Sequence, residues 1–390
     1  MRKILKWAAR LTLLLVVILG GLAIWKRDDI TRLLAVNSLF SEEKIVNNFS
    51  HMDKIFVHQT LDLAAGAASP LPANPMDMPD LSAWVESRAL TGLVVLKDGQ
   101  LVHESYYLGT ADTDLRISWS VAKSFLSALM GIVLDEGDIS SIDDQVTKYA
   151  PSLIGGAYEG ATIRNVLNMA SGVQFNENYL DFNSDINKMG RVLGLGGSMD
   201  GFAAGLTERA RAPGEAWQYV SIDTHVLSMV IRGATGRSIH DLLVDKLLNP
   251  LGLEADPIYL TDGYGVAFAL GGLNLRTRDY ARLGQLFLQN GAWNGEQVVP
   301  AAWVAASTAN SAPNRPMGIG YGFQWWLPTD GNDGEYFARG IYGQYIYVNP
   351  AKGVVIAANA ADRAFTRGGA NAQNIEMFRA ISGAIGTTPN

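Results

Sequence analysis

Ile117-Ser-Trp-Ser-Val-Ala-Lys-Ser-Phe125 begins a long apolar helical pattern and contains Ser120 and Lys123 three positions apart. A helix turns once in about 3.6 residues, so this spacing places the hydroxyl and the amine on one face. Such an arrangement suits a serine nucleophile activated by a lysine base. A second match, Ser41-Glu-Glu-Lys44, lies in a charged segment without an apolar helix behind it, and we interpret it as chance. Ser120 and Lys123 are therefore candidate catalytic residues that need partners elsewhere in the chain.

Length, charge and composition exclude several classes of protein. A chain of 390 residues can bury a large core, in one large domain or two closely packed ones. The net charge is −7, and no block of basic residues lies beyond the first ten positions, so nucleic acid is not expected as a partner. The chain has no cysteine, which excludes disulfides, thiolate metal sites and a cysteine nucleophile. Its five histidines contain no His-x-x-x-His pair, so we predict neither a metal site nor a cofactor.

Residues 1–27 have the composition of a membrane-targeting segment. Basic residues precede the apolar run Leu11–Ile24, and tryptophans stand at its two ends. The small-residue site Gly21-Leu-Ala23 leads directly into bulky and basic residues, a poor cleavage context, so an uncleaved transmembrane helix is favoured over a cleavable signal. Positive charge before the helix favours a cytoplasmic N-terminus. We therefore expect an inner-membrane anchor with the body in the periplasm or outside the cell, or a secreted protein if the segment is cleaved.

The remaining chain divides into a connecting segment, residues 28–75, and a body, residues 76–390. An Asp98-Gly99 turn between two β-branched runs predicts a hairpin near the start of the body. Helical patterns dominate about residues 125–255, and strand patterns return towards the C-terminus. This order predicts an α+β fold in which a central antiparallel sheet is flanked by helices and carries an inserted all-helical region. The predicted elements after the hairpin are helices at Val121–Glu136, Leu227–Gly236, Ile239–Leu248, Asp279–Leu288 and Asn371–Ile385, and strands at Tyr321–Trp326, Gln344–Val348 and Gly353–Ala358.

Tyr219 is the best candidate for a third catalytic group. A lysine with an ordinary pKa of about 10.4 is protonated at neutral pH, so it needs burial or a charged neighbour to act as a base. A tyrosine hydroxyl can then relay the proton. Tyr219 follows a Pro213-Gly214 turn and precedes an apolar helix, and catalytic groups are often placed on such loops. Tyr347 stands inside a predicted strand, and we interpret it as structural.

Three motifs together resemble a known family. Ser120-Val-Ala-Lys123, Tyr219-Val-Ser221 and Ala338-Arg-Gly-Ile-Tyr-Gly-Gln344 come in the order and rough spacing of the serine β-lactamase-like hydrolases. The chain looks closest to the 6-aminohexanoate-dimer hydrolase and esterase branch, which resembles class C β-lactamases. The resemblance covers roughly residues 45–385 and implies a β-lactamase/transpeptidase-like fold.

The resemblance implies a role for each motif. Ser120 would be the nucleophile, Lys123 its base and Tyr219, in hydrogen-bond contact with Lys123, the proton shuttle to the leaving group. Ser221 would stand beside the tyrosine as a substrate-binding residue. The backbone N–H groups of Ser120 and of Ile341, which follows Gly340, would form the oxyanion hole.

The third motif departs from the family pattern. Ala338-Arg339-Gly340 stands where β-lactamases and penicillin-binding proteins have Lys-Thr-Gly, whose lysine helps to bind the substrate carboxylate. Its loss counts against β-lactam turnover. Arg339 is offset by one position, so the direction of its side chain stays open.

Further residues are candidates for lining the pocket. The stretch Phe175–Asp185 resembles the family's substrate-covering loop, in which Tyr179 could donate a hydrogen bond to a substrate amide or ester. Trp217 and Tyr342 are candidate pocket residues, whereas core packing is the better interpretation of Trp326.

The resulting prediction is a serine hydrolase of small amides or esters that works through a Ser120 acyl-enzyme. A cell-wall D-Ala-D-Ala peptidase or a β-lactamase is the alternative within the same fold. A non-catalytic binding protein like the penicillin sensors is the alternative from another class. The expected partners are a small-molecule substrate and the membrane, and the sequence does not predict an oligomeric state.

Overall fold

The computed structural model describes residues 2–25, 32, 35–36, 38–66, 68–316, 318–331 and 333–386. Its strands are β1 His58–Thr60, β2 Leu90–Lys97, β3 Gln100–Tyr106, β4 Arg116–Ile117, β5 Ile258–Leu260, β6 Leu273–Leu275, β7 Ala292–Trp293, β8 Glu296–Gln297, β9 Ile319–Tyr321, β10 Trp326–Pro328, β11 Tyr336–Gly340, β12 Gln344–Asn349 and β13 Val354–Ala360.

The α-helices of these residues are α1 Arg2–Trp25, α2 Ile45–Ser50, α3 Ser82–Ser87, α4 Ala122–Asp135, α5 Val146–Tyr149, α6 Ile163–Leu167, α7 Asp185–Gly194, α8 Met199–Ala204, α9 Ser221–Thr235, α10 Ile239–Leu243, α11 Asn249–Leu251, α12 Thr277–Leu288, α13 Ala301–Ser307 and α14 Ala370–Gly386. A 3₁₀ turn, Trp119–Val121, leads into α4, and a π-helical turn, Val244–Leu248, joins α10 to α11.

A seven-stranded antiparallel sheet forms the centre of the body, with the strand order β3-β2-β13-β12-β11-β10-β9. The first two strands form the predicted hairpin. Its turn residues Asp98 and Gly99 both have positive φ, 50° and 80°, as a tight hairpin turn requires. A smaller sheet, β1-β5-β6-β4, supports the segment that precedes α4.

The central sheet separates two apolar layers, because alternate side chains of a strand point to opposite faces. Val94 and Leu96 of β2 face the larger layer, which includes Phe125 of α4 and the helices after it. Leu93 and Val95 face a smaller layer that includes Phe378 of α14. The stretch between β4 and β5 is described throughout, and all of its named secondary-structure elements are helices. The predicted sheet with flanking helices and a helical insertion is confirmed.

The predicted strand Tyr321–Trp326 is wrong. The chain reverses between β9 and β10, and the N–H of Gly322 donates to the carbonyl of Trp325 at 3.0 Å. Gln324 takes a left-handed φ of 66° in this turn. Phe323 and Trp325 are nevertheless buried, which gives the turn the apolar composition of a strand.

The predicted helix Ile239–Leu248 is an α-helix only as far as Leu243. It continues as the π-helical turn and then as α11, and it ends at Gly252 with a left-handed φ of 61°. The helix predicted from Leu227 begins earlier, at Ser221. Tyr219 therefore stands two residues before a helix N-terminus.

Helix α1 contains an 18-residue window, Ile4–Gly21, with a mean hydropathy of 1.8 and no burial against the body. By length and composition it is long and apolar enough to cross a membrane. The basic residues that follow it, Lys26 and Arg27, lie outside the described residues.

Candidate active site

Ser120 lies in the 3₁₀ turn that joins β4 to α4, and it lines a cavity of about 850 Å³. Trp119, just before it, has a left-handed φ of 43°. Non-glycine residues with positive φ are uncommon, so this turn is held by its surroundings. The ring of Trp119 packs against Phe49 and Tyr342, with centroid distances of 5.6 and 6.3 Å. The aromatic cluster thus helps to hold the turn that presents Ser120.

Lys123 lies one helical turn further on and is 2% exposed. Its Nζ donates to the carbonyl oxygen of Leu270 at 2.9 Å and lies 5.7 Å from the ring centroid of Tyr219. Burial lowers the pKa of Lys123 to about 7, although the negative charges of Glu177 and Asp223 oppose this shift. A substantial fraction of the amine is therefore neutral near pH 7 and able to accept a proton.

Tyr219 stands beside Lys123 and shares the cavity with Ser120. Burial and the charge of Glu177 raise the pKa of Tyr219 above its ordinary value, while hydrogen bonding with Ser120 and the positive charge of Arg339 oppose that rise. The phenol thus keeps its proton at neutral pH. The predicted hydrogen bond between Tyr219 and Lys123 is replaced by the ring contact described above, and the hydroxyl interacts with Ser120 instead.

Gly340, at the end of β11, lies against the backbone of the nucleophile. A Cβ atom built on Gly340 would lie 2.6 Å from the carbonyl oxygen of Ser118 and 3.1 Å from the nitrogen of Ser120. Only glycine allows such a close approach without displacement of the backbone. Ile341 follows directly and lines the cavity with Ser120. The two residues predicted to form the oxyanion hole therefore both line the cavity, and Gly340, the last residue of β11, lies against the backbone of Ser120.

Glu177 is a charged residue of the site that sequence reasoning did not select. Its carboxylate accepts hydrogen bonds from the hydroxyl of Tyr179 at 2.7 Å, from the backbone N–H of Ser221 at 3.0 Å, and from the hydroxyl of Ser221. It therefore ties the loop before α7 to the N-terminus of α9, beside Tyr219. Glu177 lies in the predicted substrate-covering loop, but that loop also contains Asp181 and Asp185, and no spacing distinguishes one acid from the others.

Tyr179 and Ser221 lie near the site, but both are engaged by Glu177. Tyr179 lines the cavity, and burial together with Glu177 raises its pKa well above the ordinary value. Its hydroxyl proton is directed to Glu177 rather than to open space. Ser221 is 1% exposed, so its part is to hold Glu177 rather than to contact the cavity directly.

The predicted pocket aromatics separate into two groups. Trp217 and Trp326 line the cavity, and their ring centroids lie 5.8 Å apart. Trp326 is buried, with 8% of its surface exposed, so it belongs to the core and also lines the cavity. Tyr342 lies elsewhere: its ring stacks on Phe40 at a centroid distance of 4.8 Å and makes a tilted contact with Phe365 at 4.6 Å, in the aromatic cluster that includes Trp119. We therefore do not retain Tyr342 as a substrate contact.

The histidine closest to Tyr219 in the sequence is committed to a structural pair. His225 lies on α9, is fully buried and pairs with Asp200 at 2.7 Å. Within the described part of the chain, no cluster of three or more histidine, aspartate or glutamate side chains has the geometry to hold a metal ion.

Comparison with known proteins identifies the family. The profile of the beta-lactamase family matches residues 84–376, and the chain belongs to this family. Within it, the chain is similar to the 6-aminohexanoate-dimer hydrolase of Paenarthrobacter ureafaciens, with 30% identity over 293 residues that cover 72% of this chain and 74% of that protein.

Solved structures agree in fold. A Bacillus anthracis protein provisionally assigned as a 6-aminohexanoate-dimer hydrolase superposes with a TM-score of 0.81 at 22% identity, over 90% of this chain and 97% of that one. EstCE1, a hydrolase with promiscuous acyltransferase activity, superposes with a TM-score of 0.57 at 15% identity, over 78% and 96% of the two chains.

Proposed function

We propose that this chain is a serine hydrolase that cleaves small amides or esters through an acyl-enzyme on Ser120. The observation that carries the proposal is Lys123, a buried amine with a pKa of about 7, placed beside Tyr219 one turn after the nucleophile. Burial of an amine that has no carboxylate in hydrogen-bond contact lowers the stability of the fold. Such groups with a shifted pKa are common in active sites, where the neutral amine serves as a base.

In the proposed cycle, neutral Lys123 takes the proton of the Ser120 hydroxyl as the oxygen attacks the substrate carbonyl carbon. The N–H groups of Ser120 and Ile341 stabilise the oxyanion of the tetrahedral intermediate. The bond to the leaving group then breaks, and Tyr219 donates its phenolic proton to the departing amine or alcohol while Lys123 returns a proton to Tyr219. Water, deprotonated by the same pair, hydrolyses the acyl-enzyme.

The choice of substrate class rests on the third motif and on the relatives. Ala338 replaces the lysine that β-lactamases use for the substrate carboxylate, and its side chain is buried in the larger apolar layer. The Paenarthrobacter relative is named for the 6-aminohexanoate dimer. Both observations favour small amides or esters over β-lactams.

A serine-directed fluorophosphonate tests the enzyme hypothesis. The wild-type chain should be labelled, and the S120A variant should not, because the probe bonds only to an activated hydroxyl. Equal labelling of the two proteins, or no labelling of the wild type, would count against Ser120 as a nucleophile. Hydrolysis rates for p-nitrophenyl esters, 6-aminohexanoate dimer, nitrocefin and a D-Ala-D-Ala peptide then separate the substrate classes.

We further propose that α1 anchors the protein in the inner membrane with the body facing the periplasm or the cell exterior. The length and hydropathy of α1 and the basic residues at its start support this location.

A further inference from the structure

A group of exposed apolar side chains lies beside the loop that covers the cavity. Outside α1, seven large apolar side chains of the described residues are exposed, and four of them belong to this group: Leu180, Phe182, Leu195 and Tyr264, each between 63% and 76% exposed. The first two lie in the loop before α7, the third directly follows α7, and the fourth lies in the turn after β5. Single exposed apolar residues are common on proteins, but a contiguous group indicates a contact site.

Contacts within the body join these residues into one surface. Cζ of Arg191, on α7, lies 4.2 Å from the ring centroid of Phe182, and the guanidinium donates to the carbonyl oxygen of the same residue at 2.8 Å. Leu195 comes four positions after Arg191, so the two share one side of the helix. A Cβ atom built on Gly263 would lie 2.0 Å from the carbonyl oxygen of Gly196, so the turn that carries the exposed tyrosine touches the end of α7.

The chain that comes from α1 enters the body next to this surface. Val36 packs on the last turn of α7, since a Cβ atom built on Gly194 would lie 3.5 Å from its Cγ2 atom. Gly194 directly precedes Leu195. Helix α1 ends at Trp25, and ten positions separate Trp25 from Val36. A fully extended chain of this length spans at most about 40 Å, so an anchored α1 keeps this side of the body close to the bilayer.

The composition of the surface suits the boundary between lipid and water. Leucine and phenylalanine enter the apolar region, tyrosine is enriched at the headgroup level, and an arginine can extend from an apolar surface towards the phosphates. Lys188 pairs with Asp185 at 3.0 Å, so apolar burial rather than a basic cluster would drive the contact. A standard interface between proteins uses about 20–30 residues on each side, whereas a tethered body needs few contacts because the tether keeps its local concentration high.

We propose that these four apolar residues and Arg191, together called the α7 patch, lie on the surface of the lipid bilayer that holds α1. Tyr179 lines the cavity and directly precedes Leu180, so this contact places the covering loop of the cavity at the lipid surface. The inference rests on the membrane anchor proposed for α1 and adds a second, peripheral contact with the same membrane.

Single-cysteine variants of the full-length chain test this contact, because the chain has no cysteine of its own. Phe182→Cys, Leu195→Cys and Tyr264→Cys are each labelled with a nitrobenzoxadiazole fluorophore and reconstituted in phosphatidylcholine vesicles. Asp138→Cys is the matched control, since Asp138 is exposed beyond the end of α4, about 21 Å of helix away from the turn with Ser120. Lipids with a nitroxide on the headgroup should quench the patch probes about threefold or more relative to the control, because side chains inserted among headgroups contact them directly.

Equal quenching of the patch probes and the control probe would overturn the inference. Disulfide cross-linking between copies of Leu195→Cys without quenching by lipid would also overturn it, in favour of an interface between two copies of this chain. Flotation with vesicles in a density gradient after a high-salt wash tests the anchor separately. A full-length chain that does not float would overturn the anchor, whereas flotation without quenching would overturn the surface contact alone. Thermal unfolding temperatures near the wild-type value should show that each labelled variant is folded, and three positions keep the test decisive if one variant is not.

Discussion

Lys123 shows how a single side chain acquires its chemistry from burial. In water its amine would be protonated at pH 7, and here loss of hydration lowers the pKa to about 7. Among the described residues, its amine donates one hydrogen bond, to the carbonyl of Leu270. A carbonyl oxygen accepts a hydrogen bond but carries no full negative charge, so it orients the amine without holding it in the charged form.

The pH dependence of activity follows from this pKa. Lys123 works as a base only when neutral, so kcat/KM on a neutral ester should rise with pH and reach half of its plateau near pH 7. Below that value the amine binds a proton and activity should fall. A profile that is flat from pH 5 to 8 would contradict the role of Lys123. The K123A variant should lose more than roughly nine-tenths of its activity at every pH in this range.

Glu177→Gln provides a sharper form of the same test. The negative charge of Glu177 raises the pKa of Lys123, so its removal should move the acid limb of the profile to lower pH. Glutamine keeps an oxygen that can accept the hydrogen bond of Tyr179, and a thermal unfolding curve reports whether the loop is preserved. An acid limb that stays in place or moves to higher pH would contradict the electrostatic argument.

At the scale of secondary-structure elements, the end of β11 and the start of α4 form one unit. Gly340 permits the strand to approach Ser118 and Ser120 so closely that a methyl group would enter the space of a carbonyl oxygen. If Gly340 is replaced by a residue with a side chain, β11 must shift. This shift would separate the two predicted oxyanion donors, the N–H groups of Ser120 and Ile341.

Gly340→Ala should lower kcat by about 10²–10³, the usual loss when an oxyanion donor is displaced. Gly190→Ala is the matched control, because Gly190 lies in α7 without positive φ and with no atom within 4 Å of an added Cβ. It should leave ester hydrolysis and the unfolding temperature near the wild-type values. An active Gly340→Ala enzyme would show that Ile341 does not contribute its N–H.

On the scale of the whole molecule, the segment predicted to connect anchor and body is largely part of the body. Phe49 of α2 and Leu61 are 0% and 1% exposed, and β1 pairs with β5 in the small sheet. Further on, the N–H of Ser69 donates to the carbonyl of Gly252 at 2.8 Å. The segment therefore contributes to the core that supports the nucleophile, in addition to its place between α1 and the hydrolase region.

Two truncations distinguish these roles. Deletion of residues 1–34 removes α1 and should leave a folded protein with ester hydrolysis close to that of the full chain. Deletion of residues 1–62 also removes Ile45, Phe49 and Leu61 from the core, and each such loss costs about 2–5 kcal/mol. We expect the longer deletion to unfold at a much lower temperature in circular dichroism. Equal unfolding temperatures for the two truncations would show that the segment is dispensable.

Local sequence signals predicted much of this protein. The hairpin at Asp98-Gly99 and helix α4 could be predicted because turn chemistry and apolar periodicity act between residues close in the chain. Ser120 lies in the 3₁₀ turn that leads into that helix and Lys123 lies in the helix's first turn, so their proximity is also local. The predicted strand Tyr321–Trp326 failed because its burial comes from tertiary packing, and a buried turn has the same apolar composition as a strand.

The amino-acid sequence alone determined the class of fold, the order of its elements and the pair Ser120 and Lys123. Only the tertiary structure decided what surrounds them. Glu177 reaches Ser221 across 44 positions of sequence, and Arg339 meets the tryptophan beneath Tyr219 through the pairing of β10 with β11. Burial that lowers a lysine pKa, and the packing of an arginine on a tryptophan ring, depend on such distant contacts. No local pattern of residues records them.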